Sequence, residues 1–331
     1  MRQRICSCIL SSLLNTTMRS HTYFDSMGVP RIMARILDGK ALAKEIRDEL
    51  KIKISNWVSN GYRPPSICCI IVGDDSASHT YVRNKILAAT EVGIKAETIK
   101  YDQSFTENEL LGAIQLLNEN RDVDGILVQL PLPNGINERK VCNAIAPEKD
   151  IDGFHITNIG QLSLDMPTIV PATALAVIEM LKRFKIQTFG RNAVVVGRSK
   201  NVGMPIAMML HSDGHHDSGL GMDATVTVCH RYTPAEQLEM YCRNADIIVS
   251  ATGIPKLIKA NMVKPGATVI DVGITRVNED GKSKLVGDVD FDEVVNVAGA
   301  ITPVPGGVGP MTVAMLMYNT FQVAQNRQKN Y

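Results

Sequence analysis

The chain has 331 residues, which at roughly 150 residues per domain predicts about two domains. Hydrophobic residues make up 45% and charged residues 21%, a composition typical of a globular protein with a sizeable core, and the net charge of +1 argues against nucleic acid as a partner. The longest apolar runs reach about ten residues, and a bilayer span needs roughly 20, so we expect no membrane segment.

The seven cysteines predict buried free thiols. Their spacing contains no C-x-x-C pair, and Cys68, Cys69 and Cys229 lie inside apolar, strand-like runs. Cysteine in such runs behaves as a small hydrophobic residue. The pattern indicates a reducing compartment and argues against both a disulfide framework and a zinc finger.

Residues 1–35 differ in composition from the rest of the chain. They carry five arginines and one acidic residue, together with several serines and threonines. Such a composition is typical of a mitochondrial transit peptide, and it predicts a location in the mitochondrial matrix. The alternatives are a secretory signal with Ile5 to Leu14 as its apolar region, or a plain extension without a targeting role.

The predicted elements follow from residue 36. Leu42, Ile46, Leu50 and Ile54 recur four residues apart and predict an amphipathic first helix. Beyond Pro65, short apolar runs alternate with amphipathic ones. We predict strands at 67–73, 124–133, 193–197, 224–228, 246–253 and 267–273, and helices at 79–93, 106–120 (with a Thr106–Glu109 capping box) and 311–326.

Strands separated by helices indicate βαβ units and a parallel sheet, so we predict a two-domain α/β protein. After the leader at 1–35, an N-terminal α/β domain occupies 36–170. A Rossmann-type parallel-sheet domain, suited to a dinucleotide, occupies 171–302, and the ligand cleft lies between the two domains. A glycine-rich loop and a C-terminal helix at 303–331 return to the first domain.

The segment after the strand at 193–197 favours dinucleotide binding. Gly197 and Gly203 frame a turn into a helix, whose free N–H groups suit a phosphate. The turn does not read G-x-G-x-x-G, so the motif alone does not identify a dinucleotide site. The run of βα units that it opens favours a dinucleotide site over a simple tight turn without a ligand. His230 and Arg231 follow the next strand, where an NAD-binding fold often has an acid. With Arg198 they predict a second anion, most simply the 2′-phosphate of NADP.

Four further features are candidates for catalysis or binding. Tyr81 and Lys85 are spaced i, i+4 on one helix, and an amine in a partly dry cleft can transfer protons near neutral pH, although the pair also suits an exposed helix surface. Gln129 ends a buried strand, where α/β sheets place ligands. Asp152 lies in a polar loop that reads by default as a surface turn. The segment 303–310 is either a close backbone approach to a ligand or a turn into the last helix.

Residues 211–224 look like an exposed insertion. Its histidines and aspartates could suggest a metal site, but the glycine neighbours and the lack of a helix to hold their spacing favour a solvated loop. The residues concerned are His211, Asp213, His215, His216 and Asp217.

Five motifs occur together in one order: YVRNK (81–85), DGILVQLPLP (124–133), PEKDIDGFH (147–155), VVVGRSKNVGMPIAMML (194–210) and ITPVPGGVGPMTVAML (301–316). On these motifs, the chain from about residue 36 resembles the methylenetetrahydrofolate dehydrogenase/cyclohydrolase family. The insertion and the HRYT segment resemble its mitochondrial, NAD-preferring, bifunctional branch.

The resemblance implies that one cleft oxidises 5,10-methylenetetrahydrofolate with NAD and then hydrolyses the methenyl product to 10-formyltetrahydrofolate. It assigns folate binding and catalysis to residues 36–170. Lys85 would be the proton-transfer group of the hydrolysis, with Gln129 hydrogen-bonded to it and Tyr81 stacked on the folate as further catalytic positions. Asp152 would bind the donor-rich edge of the pterin. Further implied folate contacts are Val128, Leu130, Pro305, Gly306, Gly307, Val308 and Gly309.

For the cofactor, the resemblance implies contacts from Gly197, Arg198, Ser199, Arg231 and Ile274. In the mitochondrial branch, inorganic phosphate and Mg²⁺ fill the space of a 2′-phosphate. The matching positions are Arg198 and Arg231 for phosphate and Asp223 for Mg²⁺. The resemblance therefore favours NAD over NADP, which stays the alternative, and it implies a homodimer.

The chain departs from the family pattern at one place. The family usually reads P-x-T-P-x-G where this chain has Pro171-Ala172-Thr173-Ala174-Leu175-Ala176. No chemical group is lost, so we expect tuned activity. Two other functions stay open from sequence: a Rossmann dehydrogenase for another small substrate, such as an amino or hydroxy acid, and a non-catalytic dinucleotide-binding or scaffold protein.

Overall fold

The computed structural model describes residues 23–24, 30–31, 33–215, 219–279 and 282–329. Most of the predicted leader, including Cys6 and Cys8, lies outside these ranges. Inside it, β1 (Tyr23–Phe24) pairs antiparallel with β2 (Pro30–Arg31). In the described part of the chain, no helix is both long and apolar enough to cross a membrane.

A three-stranded parallel sheet organises the first part of the chain. Its strand order is β5-β4-β6, so the strand that comes first in sequence lies in the centre. Thr106 caps its helix with the predicted capping box. The elements are β3 (Arg35–Ile36), α1 (Gly39–Ser59), β4 (Ser66–Val72), α2 (Ser76–Val92), β5 (Lys95–Tyr101), α3 (Glu107–Glu119), β6 (Gly125–Val128), α4 (Glu138–Ala144) and α5 (Ile156–Ser163).

A six-stranded parallel sheet organises the second part, in the order β3-β13-β10-β9-β7-β8. A short antiparallel hairpin, β11–β12, follows β10. The elements are α6 (Ala172–Arg183), β7 (Asn192–Val196), α7 (Gly203–His211), β8 (Thr225–Cys229), α8 (Ala235–Asn244), β9 (Ile247–Ser250), β10 (Thr268–Asp271), β11 (Thr275–Glu279), β12 (Lys282–Val286), α9 (Phe291–Val294), β13 (Ala300–Ile301) and α10 (Val308–Lys329).

The strand register aligns the carboxyl ends of the central strands. Val196 at the end of β7 pairs with Ser250 at the end of β9, and Ser250 pairs with Asp271 at the end of β10. Ligands of open α/β sheets bind outside this edge. The edge is therefore where the dinucleotide side of a cleft is expected.

Helix α10 joins the two sheets. It packs against α6, α1 and α2, and the residues on its apolar face belong to the same hydrophobic core as β4 and β7. Its buried Asn319 donates hydrogen bonds of 2.9 Å to the carbonyls of Ile151 and Val170. The C-terminal helix therefore holds the backbone near the end of the first part of the chain.

The cysteines of the described ranges are free thiols, as predicted. They are buried at Cys68, Cys69, Cys142, Cys229 and Cys242. Burial raises the pKa of the Cys69 thiol to about 12, so it is protonated at neutral pH. These side chains pack as small hydrophobic residues.

A buried ion-pair network fixes the last turn of α10. The Asp124 carboxylate, with a side chain only 3% exposed, accepts bonds from Arg63 Nη1 and Nη2 at 2.7 Å each and from Arg327 Nη1 at 3.2 Å. The backbone N–H of Ser66 donates to the same carboxylate at 2.9 Å. The network connects β4, the start of β6 and the end of α10.

Asp124→Ala is expected to lower the free energy of unfolding by about 2–4 kcal/mol, because it leaves the partly buried guanidinium groups of Arg63 and Arg327 without their carboxylate. Urea unfolding of the folded variant measures this loss. Asp48→Ala, which breaks an exposed pair with Lys44, is the control and should leave the unfolding midpoint nearly unchanged. Equal midpoints for Asp124→Ala and the unsubstituted protein would contradict the proposed role of the network.

Candidate active site

The structure brings Lys85 and Gln129 together. Lys85 lies on α2, and its Nζ donates a 3.0 Å hydrogen bond to Oε1 of Gln129, which directly follows β6. The Gln129 amide nitrogen donates to the Leu130 carbonyl at 2.6 Å, which directs the amide oxygen toward the amine. A neutral acceptor thus holds the half-buried amine in place without neutralising it.

The loop that carries Asp152 is built around a second aspartate. The buried Asp150 accepts hydrogen bonds from the N–H groups of Gly153 at 3.1 Å and His155 at 2.7 Å, and from the Asn158 amide at 2.9 Å. These bonds fold residues 150–155 into a tight turn. Asp152 is thereby held at a defined position, half-buried, which excludes the default reading of an exposed surface turn.

Asp152 and Lys85 lie within electrostatic reach of each other. Burial raises the pKa of Asp152 to about 6, the Lys85 charge opposes this rise, and the Asp150 carboxyl adds to it. Lys85, Gln129 and Asp152 are called the polar cluster below. Near neutral pH it combines an amine, an amide and an ionised carboxylate.

The raised pKa of Asp152 predicts weaker substrate binding in acid. A pterin edge rich in N–H donors needs the ionised carboxylate, so KM for the folate substrate should rise about fivefold between roughly pH 6 and 5. The stability of the fold changes with pH in the opposite direction. Because the pKa of Asp152 in the folded chain lies above 3.8, the stabilisation that this carboxyl group contributes is present in acid and is lost as the pH rises through about 6.

Asp152→Asn should show a high KM with no such dependence, and Asp48→Asn, an exposed aspartate on α1, should behave as the unsubstituted chain. Steady-state kinetics across this pH range measures both. An unchanged KM in Asp152→Asn would contradict this assignment.

A cavity of about 510 Å³ lies on the Tyr81 side of α2, the helix that also carries Lys85, and the three residues of the polar cluster do not line it. One wall is α2, with Tyr81 (41% exposed) and Asn84, and the opposite wall is the loop 303–309, called the cleft loop. Ile274, after β10, lies on the same surface. The cavity thus collects the aromatic residue, the glycine-rich loop and one implied cofactor contact.

Two of the implied folate positions differ in accessibility. Val128 is 4% exposed and its side chain belongs to the core of the first sheet, so only its backbone is available to a ligand. Leu130 is half-buried, and its peptide bond to Pro131 is cis, as is the Val304–Pro305 bond of the cleft loop.

The predicted dinucleotide turn forms between β7 and α7. Gly197 has a φ of +121°, and a Cβ on Gly203 would overlap the Gly197 carbonyl, so the turn requires glycine at both positions. The Gly203 N–H donates to Ser199 Oγ at 3.2 Å. The turn begins level with the end of β9, at the carboxyl edge of the sheet.

The two arginines of the predicted anion site also converge. The guanidinium carbons of Arg198 and Arg231 lie 5.8 and 5.5 Å from the centre of the Tyr232 ring. Both arginines follow carboxyl ends, of β7 and β8 respectively, and both are exposed. Because the two guanidinium groups lie over the ring, their N–H donors stay available to bind an anion.

Asp223 does not join these arginines. It precedes β8 and accepts a 3.1 Å hydrogen bond from the Gly214 N–H, whereas Arg231 follows β8. Five strand residues at about 3.3 Å each keep the two ends of β8 roughly 15 Å or more apart. Asp223 therefore lies at the opposite end of β8 from Arg231.

Asp223 instead lies near the predicted insertion. Asp213, His215 and Asp223 offer ligand atoms within 4.8 Å of one another. His211 and His215 are exposed, whereas His216 and Asp217 lie outside the described residues. An imidazole in the set suits a transition metal better than Mg²⁺, so this cluster does not fit the implied ion.

Sequence reasoning missed two residues that shape the site. Arg139 on α4 donates to the Phe154 carbonyl at 2.7 Å and to Asn201 Oδ1 at 2.9 Å, which ties the Asp152 loop to the dinucleotide turn. No motif marks such an arginine. Asn84 could have been found, because it lies three residues after Tyr81 on the same helix face.

The departure at 171–176 leaves the backbone regular. The segment begins α6 after Pro171, and the Thr312 hydroxyl of α10 donates to Thr173 Oγ1 at 3.5 Å. Ala174 and Ala176 are buried in the core. The helix therefore forms and packs without the second proline and the glycine.

Comparisons with known proteins agree with this arrangement. The model described as "Tetrahydrofolate dehydrogenase/cyclohydrolase, catalytic domain" matches residues 37–152, and the "NAD(P)-binding domain" model of the same family matches 171–328. The chain is 59% identical over 304 residues to the bifunctional methylenetetrahydrofolate dehydrogenase/cyclohydrolase 2, mitochondrial, of Homo sapiens, covering 91% of this chain and 87% of the human one.

The corresponding mitochondrial bifunctional protein of Gallus gallus is 53% identical over 324 residues, covering 97% of this chain and 96% of that protein. A solved 5,10-methylenetetrahydrofolate dehydrogenase from the silkworm, Bombyx mori, superposes with a TM-score of 0.86 at 73% identity, covering 90% of this chain and 100% of that one. The chain belongs to the tetrahydrofolate dehydrogenase/cyclohydrolase family.

Proposed function

We propose that this chain oxidises 5,10-methylenetetrahydrofolate to the methenyl form with NAD and then hydrolyses that product to 10-formyltetrahydrofolate in the same cleft. The observation that carries the proposal is the Lys85 amine, held by Gln129 at 3.0 Å within electrostatic reach of Asp152, on the helix whose Tyr81 lines the cavity. Family membership favours it over a dehydrogenase for another small substrate and over a scaffold.

The substrate is held by residues of the first part of the chain. Tyr81 offers its exposed ring for stacking, and the Asp152 carboxylate accepts hydrogen bonds from the amino-pyrimidine edge of the pterin. The cleft loop covers the other side. The nicotinamide of a bound dinucleotide supplies the hydride acceptor, and the turn at Gly197–Gly203 holds its phosphates.

Hydrolysis then uses the polar cluster. Water adds to the methenyl carbon, which is electron-poor because both neighbouring nitrogens share the positive charge. Lys85 accepts the proton released from that water, the hydroxyl proton of the adduct passes to N5, and the bond from this carbon to N5 breaks as the ring opens to the N10-formyl product. The Gln129 oxygen keeps the amine directed at the reacting carbon.

For the cofactor, we propose NAD, with inorganic phosphate bound by Arg198 and Arg231. The two guanidinium groups at one ring support an anion site, which a 2′-phosphate of NADP would fill equally well. Because Asp223 and its neighbours do not fit Mg²⁺, no step is assigned to that ion.

The test follows methenyl absorbance during turnover of methylenetetrahydrofolate with NAD or NADP, each with and without phosphate and with and without Mg²⁺. We expect NAD turnover that phosphate accelerates. Faster turnover with NADP that ignores phosphate would overturn the cofactor assignment, and no turnover with either cofactor would overturn the proposed function.

We also propose that the protein is a homodimer in the mitochondrial matrix, with the domain limits at 36–170, 171–302 and 303–331. Support for the location comes from the composition of residues 1–35 and from relatives named as mitochondrial. Import into isolated mitochondria tests the location, and the mass from light scattering tests the dimer.

A further inference from the structure

Two buried aspartates lie at the cavity of about 510 Å³ described above. Asp271 is the last residue of β10 and Asp288 follows the β11–β12 hairpin, and their exposed fractions are 3% and 0%. Asp271 also lines the cavity. The proposed reaction uses neither carboxyl group, although burying an acid costs free energy unless its surroundings compensate.

Asp271 joins three segments of the chain. Its Oδ1 accepts hydrogen bonds from the N–H groups of Gly273 at 3.0 Å and Asp288 at 3.1 Å, and its Oδ2 accepts one from Val289 at 2.9 Å. Its own N–H donates to Thr302 Oγ1 at 2.7 Å. Thr302 directly precedes the cleft loop, so Asp271 ties the end of β10 to that loop and to the segment after the hairpin.

Asp288 adds a fourth segment. Its Oδ2 accepts hydrogen bonds from Ser250 Oγ at 2.9 Å and from the Thr252 N–H at 2.6 Å, both at the end of β9. Among the residues that the structure describes, Oδ1 of Asp288 has no hydrogen-bond partner. A buried carboxyl oxygen without a hydrogen-bond partner lowers stability, so a role in packing alone does not explain why an aspartate occupies position 288.

We propose that Asp271 and Asp288 are positioning residues for the oxidation step. They fix the position of the dinucleotide side of the cleft relative to its folate side. They do so by tying the ends of β9 and β10 to the start of the cleft loop. The inference rests on the proposed function, and it assigns the pair no contact with the reacting atoms.

The pair is sensitive to pH. Burial raises the pKa of Asp271 to about 7, its three backbone donors oppose the rise, and the Asp288 carboxylate adds to it. The folded pKa exceeds 3.8, so the stabilisation that this group contributes is lost as the pH rises through about 7. Asp271 also lines a second cavity. The other charged groups that line the two cavities are Lys40, Arg47, Glu91, Lys256, Arg276, Lys284, Asp290 and Asp292.

Asp288→Asn is the conservative test. Its amide oxygen can keep both hydrogen bonds of Oδ2, and its NH₂ group can occupy the position of the unpartnered Oδ1, so the variant should fold. Bonds to a neutral amide are weaker than bonds to a carboxylate, so we expect kcat for oxidation to fall about threefold to tenfold. Hydrolysis of added methenyltetrahydrofolate depends on Lys85 of α2, and its rate should stay within about twofold of that of the unsubstituted chain.

The pH profile of the oxidation separates positioning from a general loss of structure. In the unsubstituted chain we expect an ionisation near pH 7, which Asp288→Asn moves to lower pH because the neighbouring charge is removed. Asp271→Asn, which places an NH₂ group against a backbone N–H, should remove that ionisation and slow oxidation further. Asp48→Asn, an exposed aspartate on α1, is the control and should match the unsubstituted chain.

A parallel fall of oxidation and hydrolysis in Asp288→Asn would overturn the inference, because it would show a structural role only. An oxidation profile identical in all variants would also overturn it. Either outcome leaves the proposed function in place, since both reactions of the unsubstituted chain are measured in the same assays. Lack of both reactions in the unsubstituted chain would instead remove the proposed function and this inference together.

Discussion

Lys85→Met is expected to lower the rate of methenyltetrahydrofolate hydrolysis by about 10²–10⁴-fold, the range that a positioned proton-transfer group contributes. The methionine side chain is about as long as that of lysine but has no proton to move. The loss is therefore expected in kcat for hydrolysis, and KM for the folate should change little.

The variant should fold, because Lys85 makes its described hydrogen bond only to Gln129, which sits in a half-buried position open to water. Lys44→Met, on the exposed face of α1, is the matched control and should hydrolyse normally. Stopped-flow decay of methenyl absorbance, with circular dichroism to check folding, measures the effect. Normal hydrolysis by folded Lys85→Met would show that another group moves the proton.

Gly203→Ala is expected to abolish NAD-linked oxidation while hydrolysis of added methenyltetrahydrofolate continues. The new Cβ would overlap the Gly197 carbonyl, so the turn that would hold the cofactor phosphates must open. We expect the affinity for the dinucleotide to fall by about 10²-fold or more, because a phosphate site depends on close backbone approach. Among the described residues, no member of the polar cluster hydrogen-bonds to this turn, and Arg139 links only the neighbouring Phe154 carbonyl to Asn201.

Gly112→Ala is the control for this substitution. Gly112 lies in α3, and no atom lies within 4 Å of the position that its Cβ would occupy. It should leave both activities unchanged. Cofactor titration by protein fluorescence and the two activity assays separate the variants. If Gly203→Ala binds NAD as tightly as the unsubstituted chain, the turn at 197–203 is not the phosphate site.

The sequence predicted the fold well where hydrophobic runs are long. The buried strands at β4, β7, β9 and β10 and the capping box at Thr106 are confirmed, because continuous apolar runs and capping residues act locally. Strand β5 was missed because it lies at a sheet edge and alternates polar with half-buried residues. Strands β3 and β13 are two residues long, and no periodicity can mark so short an element.

The candidate site shows the same division between local and distant information. Tyr81, Lys85 and Gln129 could be named because helix spacing and strand ends place them at one edge. The separation of Asp223 from Arg231 follows from β8 between them, which the predicted strand at 224–228 already indicated. Arg139 and the Asp271–Asp288 pair act through contacts between segments distant in sequence, and no local pattern indicates them.

If one cleft serves both reactions, a single unreactive tetrahydrofolate analogue should inhibit both. Oxidation and hydrolysis are measured in the same samples as the analogue is added. Both rates should fall together with one inhibition constant and reach zero at saturation. Hydrolysis that persists while oxidation is fully inhibited, or the reverse, would contradict a shared site.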